Sequence, residues 1–226
     1  MTKHLPPDHR RTLAAAPVEQ GVLAMLRSLV PKRPLTGYET LRIAELQANR
    51  LLRHFQIETD AVPEEIVSSL PRIRVARELG WPVSGAAHWN TRHWIITLCA
   101  DEHPLRQRFS LMHEFKHVLD HTTKQFLYHD TPHQSADEQA ERTADYFAAC
   151  LLMPKRVVKR VWCQGPQDIT RLATRLRVSP AALRYRLDQI GLTEKPERCG
   201  AARYGYASRT APRALVARPI LAGGSG

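Results

Sequence analysis

The chain has 226 residues, 43% hydrophobic and 24% charged, a balance that excludes a wholly disordered polymer and fits a body able to bury a core. Lys and Arg outnumber Asp and Glu by 33 to 22, for a formal net charge of +11, which favours polyanionic partners without requiring one. Cys99, Cys150, Cys163 and Cys199 form no C-x-x-C pair, against a disulfide scaffold or zinc ribbon, and read as reduced thiols of a cytoplasmic protein.

No apolar run nears the ~18 residues of a membrane span. The stretch "HRRTLAAAPVEQG" is broken at Pro17, Glu19 and Gln20, so no export signal is expected there. Residues 1–36, with prolines at 6, 7, 17, 31 and 34 around the short amphipathic "VEQGVLAMLRSLV", read as a flexible N-terminal arm.

From Glu39 to His54 the apolar positions Leu41, Ile43, Ala44, Leu46, Ala48, Leu51 and Leu52 recur at helical spacing. A second helix is expected over "PEEIVSSLPRIRVAREL", bent or split at Pro71. The period then changes. "WPVSGAAHWNTRHWIITLCA" carries β-branched and aromatic residues on both sides of a turn at Trp89 to Arg92, which predicts a β-hairpin.

Pro104 suits a helix start, and a helix is expected from Leu105 to Asp120, followed by a loop over "KQFLYHDTPHQS". A further helix, "ADEQAERTADYFAACLLMP", should stop at Pro154, with Ala140, Ala144, Phe147, Ala148 and Leu151 on its core face. Beyond the basic patch "PKRVVKRVW", two short helices are expected in "DITRLATRLRVSPAALRYRLDQIGL", hinged at Val178, Ser179 and Pro180. The composition after Lys195 reads as a disordered basic tail over residues 195–226.

These elements define an α+β fold with three working parts: a domain over 37–154, a basic helix-turn-helix-like subdomain over 155–194, and the terminal arms. The sheet is expected to be small and antiparallel and to flank the helix that holds the main motif.

That motif is "HEFKH". On a helix His113 and His117 project from one face a turn apart, as two ligands of one ion must, with Glu114 beside them. This is the H-E-x-x-H arrangement, in which a glutamate activates a water next to Zn²⁺. Chance would supply about 0.03 such windows in a chain of this composition. His121 cannot be a third ligand, because eight residues of helix separate it from His113 by about 12 Å. It reads instead as a charge at the helix C-terminus or a support for a ligand.

The third ligand is therefore sought on "DEQAERTAD", where Glu138, Glu141 and Asp145 fall along one stripe. Glu141 as the ligand, with Asp145 orienting a ligand histidine through its ring N–H, is the economical choice, and Glu138 is the reserve. Tyr128, His121 and Tyr146 are the candidates for stabilising a developing oxyanion.

"RQRFSLMHEFKHVLDH" followed by "EQAERTADYFAACLLMP" resembles the ImmA/IrrE family of zinc metallo-endopeptidases, over about Ile43 to Leu192. The resemblance implies a minimal zincin-like domain of the gluzincin type, with His113, His117 and Glu141 as the Zn²⁺ ligands and Glu114 as the catalytic base. It also implies cleavage of a protein partner, a helix-turn-helix transcriptional repressor in mobile-element or stress-response control. Lys116 stands where many relatives have glycine, and Thr143 where a second glutamate is common.

In the C-terminal helices Leu172, Leu176, Val178, Leu183, Leu187 and Ile190 should face inward. Arg171, Arg175, Arg177, Arg184 and Arg186 should then face outward, where they could touch DNA phosphates. The competing function is thus a DNA-binding regulator with the zincin-like core as sensor or scaffold, and a third is a non-catalytic module that holds a partner helix in the cleft. Salt-dependent DNA binding, zinc-dependent cleavage and binding that survives chelation separate the three.

Overall fold

A computed structural model describes residues 21–165 and 167–192. The first helix, α1 (Gly21–Arg27), buries Val22 and Leu26. Its last residue, Arg27, donates to the backbone oxygens of Val118 and Leu119 at 2.8 and 3.1 Å, satisfying carbonyls near the end of a later helix that lack a helical partner. Residues 21–36, part of the expected arm, thus lie against the folded body, with Val30 and Leu35 also buried. Residues 1–20 and the expected tail lie outside the described residues.

Helix α2 (Gly37–His54) opens on a capping box, in which the Thr36 hydroxyl accepts from the Glu39 backbone while the Glu39 carboxylate accepts from that of Thr36. Its buried stripe includes Ile43, Ala44, Ala48 and Leu51, and also the polar Gln47.

The second predicted helix is a correction. Only α3 (Glu65–Ser68) is helical there, and after Pro71 the chain extends as β1 (Ile73–Glu78). Proline ends the helix by lacking an N–H, and β-branched Ile73 and Val75 fall on alternate positions of a strand. Ile66 and Val67 of α3, Leu70 of the turn after it and Ile73 of β1 are all buried in one core.

The hairpin is present as β2 (Gly85–Trp89) and β3 (Trp94–Cys99), paired antiparallel from Gly85↔Leu98 to Trp89↔Trp94. The three-stranded sheet has the order β1-β3-β2, with β1 parallel to β3. It is therefore mixed and not purely antiparallel: after β1 the chain crosses to form β2 at the far edge and returns between the two as β3.

Helix α4 (Pro104–Asp120) packs against the sheet and α6 (Ala136–Leu152) against α4 and α2, with a short α5 (Lys124–Leu127) between them inside the segment expected to be a loop. Leu111, Met112, Phe115, Val118 and Leu119 of α4 share the main core with Phe147, Ala148 and Leu151 of α6. The basic patch forms α7 (Lys155–Cys163), burying Val157, Val158 and Val161.

The last two helices are α8 (Ile169–Leu176), capped by Asp168, and α9 (Pro180–Gln189), capped by Ser179. Leu172, Leu176, Val178, Leu183 and Leu187 are buried and Ile190 packs at the edge, as expected. Two of the five arginines are not turned freely outward. Arg186 is 2% exposed and donates to the Met153 carbonyl at 3.1 Å, while Arg175 bonds the Asp60 carboxylate at 2.6 Å. Arg186 thus satisfies a carbonyl at the end of α6 and Arg175 a carboxylate from another segment, both within reach of a long arginine side chain. Arg171, Arg177 and Arg184 are exposed. Arg108 on α4 ties this region down, donating to the Arg177 carbonyl at 2.7 Å and to that of Val62, and burial holds its guanidinium down at about 10.

Cys99 and Cys150 are buried free thiols and Cys163 an exposed one. Among the described residues, no helix is long and apolar enough to cross a membrane.

Candidate metal centre

Helix α4 begins where the His103 ring nitrogen accepts from the Leu105 backbone at 3.1 Å and Pro104 takes the first turn. With its apolar flank in the core, the opposite flank carries His113 and His117, whose side chains are 15% and 21% exposed. Their Nε2 atoms lie 3.1 Å apart.

Helix α6 presents Glu141 across this pair. One carboxylate oxygen lies 3.3 Å from His113 Nε2 and the other 3.3 Å from His117 Nε2. One ligand atom from each of the three residues falls within 4.8 Å of the others. Glu138 is engaged three residues earlier, where its carboxylate accepts from the Ser135 backbone at 2.8 Å as the third residue of a capping box. Asp145, one turn after Glu141, receives His113 Nδ1 at 2.9 Å. That contact places the Nδ1 proton toward Asp145 and leaves the Nε2 lone pair facing the centre.

The electrostatics follow from this crowding. Burial opposes charge on the His113 ring, but the hydrogen bonds to Asp145 and Glu141 outweigh it and push its pKa up to about 9. Hydrogen bonds from His113 and His117 hold the Glu141 carboxyl far below the usual carboxylate range. Two imidazoles and a carboxylate concentrated on one point fit a bound cation, which takes the place that protons occupy in its absence.

Glu114 lies on the sheet side of α4. Burial raises its pKa, against the pull of the two histidines. Strand β2 approaches it so closely that a methyl group at Gly85 would stand 2.9 Å from Glu114 Cγ. Sequence reading did not single out Gly85, although an isolated glycine inside a strand is the signal of such an approach.

Behind the histidines, Lys116 is fully buried. Its ammonium donates to Asp120 at 2.5 Å and to Gln47 of α2 at 2.9 Å, and the Tyr128 hydroxyl donates to the other Asp120 oxygen. The space that glycine would leave is filled by a satisfied ion pair. Thr143, also buried, donates to the Gln139 carbonyl at 2.7 Å. Of the three oxyanion candidates, Tyr128 commits its hydroxyl to Asp120, His121 meets Trp94 edge-on with ring centroids 4.9 Å apart, and the Tyr146 ring lies beside the Arg186 guanidinium.

A mixed α+β body in which an H-E-x-x-H helix brings two histidines against one carboxylate from a neighbouring helix is that of a metallopeptidase-like domain. The chain belongs to the Peptidase_M78 family, described as the IrrE N-terminal-like domain, whose model matches residues 70–188. A solved structure of a Mycobacterium tuberculosis transcriptional regulator is similar in fold, with a TM-score of 0.54 and 17% identity. The alignment covers 74% of this chain and 51% of that one, so this chain spans about half the length of that regulator. No curated protein matches the sequence.

Proposed function

We propose that the protein is a zinc-dependent metallo-endopeptidase that cleaves a partner protein, a transcriptional repressor of the helix-turn-helix class, in the cytoplasm. The observation that carries this reading is the convergence of His113, His117 and Glu141 with Glu114 adjacent. Zn–N bonds of ~2.0–2.1 Å in a tetrahedron separate two nitrogens by roughly 3.3 Å; the two histidine nitrogens here lie 3.1 Å apart, with a Glu141 oxygen 3.3 Å from each. The donor set therefore fits zinc, held by three side chains in a minimal zincin-like domain of the gluzincin type.

Zinc bound there would supply Lewis acidity for attack of water on a peptide carbonyl. Glu114 takes the proton of the attacking water on its carboxylate, for which a pKa raised by burial is suited, and returns it to the departing amine. Asp145 fixes the His113 tautomer. The substrate pairs in extended form with the free edge of β2. The bonds Asn90 N–H to the His93 carbonyl and Cys99 N–H to the Ser84 carbonyl set the alternation of the hairpin. By that alternation Gly85, Ala87 and Trp89 turn their peptide groups away from β3, toward the open edge.

Zinc-loaded wild type should cut peptides in a mixed digest of cellular protein, and a chelator or Glu114→Gln should stop it. A zinc-retaining Glu114→Gln variant that cuts as well as wild type would refute the assignment.

Exposed Arg171, Arg177 and Arg184 on the α8–α9 pair favour a second reading, a DNA-binding regulator. It requires a mobility shift that weakens with salt and with loss of those three residues.

A further inference from the structure

Resting on the peptidase reading, we propose that Trp89 is a specificity determinant. Its exposed ring forms a platform for an aromatic or large apolar side chain of the substrate, three to five residues before the bond that is cut.

The placement comes from the sheet. Gly85, Ala87 and Trp89 alternate onto one face of β2, and contact with Glu114 shows that this is the face toward α4. At the other end Trp94, the register partner of Trp89, meets His121 edge-on at the C-terminus of α4. Strand β2 and helix α4 therefore run side by side in the same direction, with the Gly85 end at the chemistry and the Trp89 end about 14 Å further along.

Trp89 is 42% exposed, although it lies in a paired strand. It is held in position, since its ring lies 5.6 Å from that of Trp94, itself pinned by His121. A rigid aromatic beside a free strand edge is suited to recognition, because little side-chain freedom remains to be lost on contact.

A peptide added to this edge commits its own side chains by register. The residue opposite Gly85 comes next to Glu114, and the residue opposite Trp89 is four positions away on the same face. In an antiparallel pair, the more stable arrangement, moving toward Trp89 is moving toward the substrate's N-terminus. The side chain there meets the indole, while those between face Ala87, which is too small to select, or the opposite side of the sheet.

The test uses the zinc-loaded full chain on a mixture of peptides from digested cellular protein, with cut sites mapped by mass spectrometry. Phe, Tyr, Trp or Leu should be enriched three to five residues before the cut. Between two peptides differing only by Phe or Ala at that position, kcat/KM should favour Phe about tenfold. Trp89→Ala should reduce this ratio to within about twofold and Trp89→Phe should retain most of it; being a ratio, it is insensitive to the fraction of active enzyme. Cleavage with no preference there, or a preference that survives Trp89→Ala, overturns the role of Trp89 and leaves the peptidase reading intact. If zinc-loaded wild type cuts nothing in the mixture, both fall together.

Discussion

Glu138 and Glu141 differ by less than one helical turn, and that displacement separates their roles. Glu138 closes a capping box with Ser135, while Glu141 reaches two imidazoles. Glu141→Ala should abolish zinc retention, whereas Glu138→Ala should cost about 1 kcal/mol of stability and keep the metal. Asp145→Asn keeps the shape of the contact to His113 but removes its charge. It should weaken zinc affinity by roughly 10- to 100-fold in a competition titration with a chelating dye. Glu114→Gln should bind zinc normally and lose about 10²- to 10⁴-fold in kcat; normal turnover would exclude it as the base.

At the scale of elements, α4 is held from behind by the Lys116–Asp120 pair with Gln47 and Tyr128. Lys116→Met leaves a buried carboxylate without its cation and should cost about 3–5 kcal/mol in urea denaturation. Lys116→Met combined with Asp120→Asn should recover more than half of that loss; a double variant as unstable as the single would show that the pair is not the cause. On α7 and α8, Arg160 and Arg175 both bond Asp60. Burial works against the Asp60 charge, but these arginines hold its carboxyl below the ordinary value of 3.8. A carboxylate so depressed contributes stability above its unfolded pKa and loses it as pH falls through the folded one. The gap in Tm between wild type and Asp60→Asn should therefore be widest near neutral pH and shrink below about pH 4. A gap constant down to about pH 3 would contradict that role.

What was legible in the sequence at this scale was local. The periodicity of α2, α4 and α6 and the turn of the hairpin need only neighbouring residues, and the i, i+4 spacing of His113 and His117 needs only a helix. Glu141 and Asp145 were readable because they share a stripe on α6. What was not legible depends on distant partners. Ile73–Glu78 is a strand through pairing with β3, and Lys116 is buried because α2 brings Gln47 to it. Arg175 and Arg186, expected to face solvent, are turned to Asp60 and Met153 by contacts more than thirty residues apart.

For the whole molecule, the charge of +11 and the exposed Arg171, Arg177 and Arg184 ensure some attraction to polyanions at low salt. On the peptidase reading any mobility shift of duplex DNA should disappear near physiological ionic strength. A sequence-selective shift that persists there would favour the regulator. The described domain is organised around the α4–α6 crossing, where the core on one side fixes the convergence of His113, His117 and Glu141 on the other.

The most direct measurement is therefore the zinc content of purified wild type beside Glu141→Ala and Glu138→Ala. The account predicts about one zinc per chain in wild type and Glu138→Ala, and none in Glu141→Ala. A wild type that holds no zinc under metal-replete conditions, or equal retention by all three proteins, would contradict it.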